Sequence, residues 1–183
     1  MALKRRKGLK RTPLKKKSTK KRVVDKSRTK KVYKAPSWFM KIKLGSHGNN
    51  PAQKRYWRFI SCFVRQRDFR DQKGYCVSCD NQLGRWQDGD AAHFKRYSVC
   101  NSYFKFHPDN IALSCKNCNR NDDGVVGHAF GEELKRRHGK DHLEWIEEEN
   151  LKYRGKKLET HKIVEKIEEL MEENPWFDIK TTY

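Results

Sequence analysis

Apolar residues in the first strongly periodic stretch fall at helical steps. Tyr56, Ile60, Phe63 and Val64 recur at intervals of three and four within residues 52–70, giving one buried stripe on a helix. Cys62 lies beside that stripe and reads as a small core residue. Three more helical patterns close the chain: about 128–138, ended by Gly139; about 141–153, ended near Gly155; and about 159–173, ended by Pro175. The last sets Ile163, Ile167, Leu170 and Met171 on one face against Glu165, Glu168, Glu169, Glu172 and Glu173. Between the first helix and these, residues 75–119 lose the helical period. They are rich in Gly, Asn, Asp, Cys and aromatic residues, which predicts short strands and turns. Residues 36–51 read as a linker ending in Gly45-Ser46-His47-Gly48-Asn49-Asn50; its Trp38, Phe39, Met40, Ile42 and Leu44 either pack on the domain or stay loose. There is no internal repeat.

Composition narrows the function classes. Hydrophobic residues make up 35% and charged residues 36%, so the core must be small for 183 residues. No apolar run approaches the ~20 residues of a membrane span, and the basic N-terminus lacks the apolar core of a secretory signal. The net charge of +20 is concentrated: residues 1–34 hold 17 Lys/Arg and one Asp. Runs such as Lys15-Lys16-Lys17 have too few apolar neighbours to offset chain entropy, so this arm is expected to be disordered. A cationic arm of this kind binds phosphate backbones with strong salt dependence, although a solubilising tail or a nuclear-localisation signal has the same composition. Residues 132–174 carry 13 acids and 10 bases, so they suit a scaffold better than an extended phosphate-binding surface.

Six cysteines are present, and four form two C-x-x-C pairs, Cys76/Cys79 and Cys115/Cys118. A two-residue spacer lets both sulfurs of a pair reach one ion, so the four predict a tetrahedral zinc site with no open coordination position. Such a site stabilises a small core, and a reducing compartment suits it. The 35 residues between Cys79 and Cys115 are long for a simple ribbon. They contain Asp88-Gly89-Asp90-Ala91-Ala92-His93-Phe94 and His107-Pro108-Asp109-Asn110-Ile111-Ala112-Leu113, and Asn119 follows Cys118. Singly, His93 reads as a core histidine, Asn110 as a turn residue and Asn119 as a helix cap.

In order, they match the zinc-stapled HNH, or ββα-metal, nuclease pattern: CxxC, a strand ending in His, a loop with Asn entering a strand, then CxxCN opening a helix. In such a site a neutral histidine takes a proton from the attacking water, and a divalent ion on oxygen ligands neutralises charge on the leaving oxygen. Lys95, Arg96, Lys116 and Arg120 flank the pattern as candidate phosphate contacts or as ordinary surface charge. Phe94, Tyr97, Tyr103, Phe104 and Phe106 would either stack on opened bases or fill a thin core.

The stretch from Cys76 to about Glu148 resembles the NinG (Rap) recombination proteins of lambdoid phages. The likeness is carried by C-V-S-C (76–79), D-A-A-H-F (90–94), F-K-F-H-P-D-N-I (104–111), C-K-N-C-N (115–119) and the run from Phe130 to Gly139. The resemblance implies a phage-encoded, structure-specific endonuclease in the bacterial cytoplasm that cuts D-loops and Holliday junctions during homologous recombination. By position, His93 becomes the general base, Asn110 the middle Asn that orients the His93 loop, and Asn119 the residue at the usual second-histidine position. Asp90 is the best-matched acid, so Asp90 and Asn119 are the expected ligands of Mg²⁺ or Mn²⁺. Ala92 stands where many HNH sites place an acid or His. Strand alternation puts Asp90 and His93 on opposite faces unless a bulge intervenes. Asp122, Asp123, His107 and His128 are further candidates.

The expected fold is α+β: a small ββα-metal (HNH-like) core with a Cys₄ zinc site, flanked by several α-helices, plus the disordered basic arm. Its divisions are 1–35 for the arm, 36–51 for the linker and 52–183 for the nuclease domain. Within the last, 52–70 is the N-terminal helix, 75–127 the zinc core and 128–174 the helical scaffold. Branched DNA is the expected partner, with a host recombination protein and a homodimer as further ones, since two symmetric cuts resolve a junction. The rival readings are a non-catalytic zinc module that binds DNA or RNA, and a basic structural or ribosome-associated factor.

Overall fold

The computed structural model describes residues 33–183 apart from Asp80, Asp122 and Asp123. The predicted arm therefore lies almost wholly outside the described residues, as do Lys15, Lys16, Lys17, Asp122 and Asp123. Residues 33–183 form one compact unit. No described helix is long and apolar enough to cross a membrane.

The fold is α+β, with six helices around one two-stranded sheet among the described residues. Helix α1 spans Ser37–Lys41 and α2 spans Pro51–Asp71. Strands β1 (Asp90–His93) and β2 (Ile111–Ser114) pair antiparallel, with Asp90 opposite Ser114 and His93 opposite Ile111. Helix α3 (Lys116–Arg120) follows at once, and α4 (Gly124–His138), α5 (His142–Lys152) and α6 (Thr160–Glu173) complete the chain.

Helix α2 starts where local chemistry says it should. The Asn50 side chain accepts from the Gln53 N–H at 3.0 Å and Pro51 occupies the first turn, where its missing N–H costs nothing. Its stripe of Tyr56, Phe59, Ile60, Phe63 and Val64 packs with Ile163, Val164 and Ile167 of α6. Phe59, Ile60, Ile163 and Ile167 are fully buried; burying one such side chain stabilises by about 1.5–3 kcal/mol. Residues 36–51 do not behave as an open linker. Phe39 and Ile42 are each 1% exposed in this same core, because a single helical turn at α1 aims both inward.

The hairpin lies between two layers. Ala91 and Ile111 face the α2 core, whereas Ala92 and Ala112 face a second cluster with Phe104, Phe130, Leu134 and Ile146 from the α4–α5 side. Burial on both faces explains why β2 shows no alternation of apolar and polar residues. One carboxylate joins the layers. Asp68 of α2, with its side chain 2% exposed, accepts from the Leu113 N–H at 2.7 Å, from Arg137 Nη1 at 2.9 Å and from Arg67 Nε at 2.8 Å.

Candidate metal centre and active site

The four knuckle cysteines converge. The first pair sits on a turn closed by a bridge between Tyr75 and Gln82, and Val77 N–H donates to Leu113 O at 2.9 Å, hooking that turn onto β2. The second pair opens α3, where Cys115 is the N-cap and its sulfur accepts from Cys118 N–H. The four Sγ atoms lie within 4.8 Å of one another, with Cys79 and Cys115 4.0 Å apart. A tetrahedron with 2.3 Å Zn–S bonds has edges of about 3.8 Å, so these donors fit a zinc ion. Burial works against a Cys76 thiolate, but N–H groups of Cys115 and Ser78 aimed at its sulfur outweigh it and bring the thiol down to about 7. The Cys79 and Cys118 thiols shift upward, chiefly by burial.

His93 ends β1 on the α2 side of the hairpin. Its ring stacks on Trp57 at 4.9 Å between centroids and 15° between planes, with Tyr97 edge-on at 5.7 Å and the His47 ring at 6.0 Å. His93 Nε2 is 2.8 Å from Lys105 O. A carbonyl oxygen only accepts, so Nε2 carries the proton and Nδ1 is the basic nitrogen. Burial lowers the His93 pKa to about 4, against the raising effect of the Lys105 carbonyl, so the ring is neutral at pH 7.

Asn110 is fully buried at the mouth of β2. Its Oδ1 accepts from Lys95 N–H at 2.8 Å, and its Nδ2 donates to Lys95 O at 3.2 Å and to Cys100 Sγ at 3.7 Å. With the Phe94 N–H to Asn110 O bond at 2.9 Å, these hold the turn that leaves His93.

Asp90 and Asn119 meet: Asn119 Nδ2 donates to Asp90 Oδ2 at 3.1 Å. The β1–β2 register is continuous, so Asp90 shares the Ala92 face and His93 occupies the opposite one. Two open clefts flank this arrangement, and Asn119 lines both. One, of about 330 Å³, includes Asp90, Ala91, His47, Trp57, Arg58 and Arg65. The other, of about 190 Å³, includes His93, Phe94, Arg96 and Phe130.

The remaining candidates scatter. Lys95 Nζ pairs with Glu147 of α5 at 2.6 Å, so its charge is already matched. Arg96, Lys116 and Arg120 are exposed. His107 packs against Phe104 and Trp145 rather than joining His93, and His128 is exposed on α4. Phe104 and Phe106 are buried core residues. Sequence reasoning missed His47, Trp57, Arg58 and Arg65. The Asn50-Pro51 cap was a usable signal, since a fixed helix start folds the preceding residues back along the first turns. Gly45 marks the close approach: a Cβ there would meet Trp57 at 2.8 Å and the Lys54 carbonyl at 2.9 Å.

Comparison with protein families matches residues 1–174 to the family described as Bacteriophage Lambda NinG protein. The chain belongs to the NinG family. That membership carries a role connected with phage recombination, and the match extends well beyond the Cys76–Glu148 stretch that bears the motifs. Comparison with curated proteins and with solved structures gives no significant match. Within this NinG-family chain, the Cys₄ cluster is the one described group of three or more His, Cys, Asp or Glu residues placed to hold a metal.

Proposed function

We propose that this NinG-family protein is a divalent-metal-dependent, structure-specific DNA endonuclease that hydrolyses phosphodiester bonds in branched recombination intermediates such as D-loops and Holliday junctions. The observation that carries this reading is the state of His93: an imidazole neutral at pH 7, locked by Lys105 O with Nδ1 as its base, at the end of the strand that pairs with the knuckle-bearing β2.

In this reading the chain's residues divide the work. Cys76, Cys79, Cys115 and Cys118 would hold zinc, which clamps the first knuckle and the β2 end to α3. Asn110 fixes the turn after His93 and thereby the ring. His93 Nδ1 takes the proton of the attacking water as its oxygen bonds to phosphorus and the P–O3′ bond breaks. Asp90 and Asn119 would supply oxygen ligands for Mg²⁺ or Mn²⁺ once the Asn119 amide turns its oxygen outward; one carboxylate with waters and phosphate oxygens suits Mg²⁺. Such an ion, when bound, neutralises charge on the leaving 3′ oxygen. Lys116 and Arg120, both exposed, and Arg96 beside them would contact flanking phosphates.

A non-catalytic zinc-containing nucleic-acid-binding protein is the second reading. It is favoured by the thin oxygen-donor set, one carboxylate and one amide, on the strand face opposite His93. Cleavage of a D-loop and a four-way junction with Mg²⁺ or Mn²⁺, compared with EDTA, separates the two. Divalent-dependent nicking supports the nuclease, and binding without cutting leaves the binder.

A further inference from the structure

The cleft that holds Asp90 is cationic on its other walls, and its cations come from α2. Arg58 and Arg65 stand seven residues apart, two helical turns, and so share one face of that helix. Arg65 Nε donates to Ser61 O at 2.9 Å, and its Nη1 to Gly89 O at 3.2 Å. Its guanidinium also lies 4.9 Å over the Trp86 ring. Arg58 Nε donates to Thr182 O at 3.4 Å. All of these partners are neutral. Among the described residues neither guanidinium pairs with a carboxylate, whereas Arg67 and Arg70 on the same helix are held by Asp68 and Asp71. Two oriented, unneutralised guanidinium groups thus project their charge into a cleft where Asp90 is the single acid.

The fourth wall is equally fixed. Gly45 N–H donates to Lys54 O at 3.0 Å, and Trp57 Nε1 donates to Ser46 Oγ at 3.2 Å. Ser46 Oγ bonds His47 Nδ1 at 2.7 Å. Gly48 adopts φ of 124°, pressed against Gln53, where a side chain would collide. The loop is therefore bolted to α2 and holds the His47 ring at the cleft.

We infer that this cleft is a phosphate seat, in which Arg58, Arg65 and His47 grip the DNA backbone beside the Asp90–Asn119 pair. Helix α2, which precedes the zinc clamp, is then part of the nucleic-acid interface as well as of the core. Arginine forks match phosphate oxygens bidentately, and held in place they lose little freedom on binding. The inference rests on the proposed function for the identity of the ligand as DNA, but not on cleavage.

The test is fluorescence anisotropy of the full chain with a labelled four-way junction in EDTA across a salt series, so that cutting plays no part. Arg58→Gln and Arg65→Gln are each expected to flatten the slope of log K against log salt by about 0.9 and to weaken binding. Arg154→Gln, an exposed charge outside the cleft, serves as the comparison. Arg58 loses one long hydrogen bond and should stay folded. If Arg65→Gln loses its fold, Arg65→Lys replaces it, keeping the slope while lowering affinity several-fold through loss of the fork. Slopes and affinities for the cleft variants that match wild type or Arg154→Gln overturn the seat. Failure of the wild type to cut in either Mg²⁺ or Mn²⁺ would overturn the nuclease reading and leave this result standing.

Discussion

Asn110→Ala isolates the device that holds the turn after His93. The side chain is fully buried and serves both backbone groups of Lys95, accepting at 2.8 Å and donating at 3.2 Å. Truncation orphans the Lys95 N–H, a desolvation cost of about 1–3 kcal/mol. The second bond adds about 1 kcal/mol, softened because Cys100 Sγ also donates to Lys95 O. The expected loss is about 2–4 kcal/mol, which for a urea slope of about 2 kcal/mol/M moves the midpoint by roughly 1–2 M. Asn110→Asp separates the two bonds. Its carboxylate still accepts from Lys95 N–H but faces Lys95 O with no donor, so at pH 7 it should be at least as damaging. Acidification that protonates it should recover part of the loss. Urea unfolding followed by circular dichroism at pH 7 and pH 5 reads both. A loss below about 0.5 kcal/mol for Asn110→Ala, or a gap between Asn110→Asp and wild type that is the same at pH 7 and pH 5, would refute the assignment of Asn110 as the residue that holds this turn.

Three further outcomes are expected. Cys115→Ser should abolish binding of one zinc per chain and unfold the core, measured by metal analysis and circular dichroism; a stable, zinc-free fold would contradict the clamp. Asp68→Ala should cost about 2–4 kcal/mol in urea unfolding, because it orphans the buried Leu113 N–H and removes one of the two carboxylates on Arg137, leaving Glu133. The His93 pKa of about 4 lies below its unfolded value of 6.5, so its share of stability is complete above pH 6.5 and is lost as pH falls toward 4. That share is at most about 3 kcal/mol, and His93→Gln should flatten the acid limb of stability against pH; parallel curves for the two proteins would contradict it.

The helices were legible because their signals are local. The spacing of Ile163 and Ile167 gave α6, and Gly139 and Pro175 gave the stops. The knuckles were legible for the same reason, since each C-x-x-C fixes its own geometry and the pairing of the two needs only one ion. What escaped was long-range. Asp68 reads as a surface acid on a helix, and only the arrival of β2 and α4 makes it a buried hub. Phe39 and Ile42 carry no period over a single turn, so their burial followed from the core that receives them. At the site, strand alternation puts Asp90 and His93 on opposite faces, as the continuous register has them; the meeting of Asp90 with Asn119 comes from the short passage of β2 into α3 through the second knuckle. The linker's His47 and the helix's Arg58 and Arg65 join Asp90 only through tertiary packing, and no spacing along the chain announces them.

The most direct measurement asks whether His93 acts as the base of a divalent-dependent cut in branched DNA. Wild type and His93→Ala should be incubated with linear duplex, single strand, D-loop and four-way junction, in Mg²⁺, in Mn²⁺ and in EDTA. Wild type is expected to cleave the branched substrates in a divalent-dependent way, and His93→Ala to lose about 10²–10⁴ in rate with nearly unchanged zinc content and DNA affinity. Equal cleavage by the two proteins, or binding without cleavage by both, would contradict it.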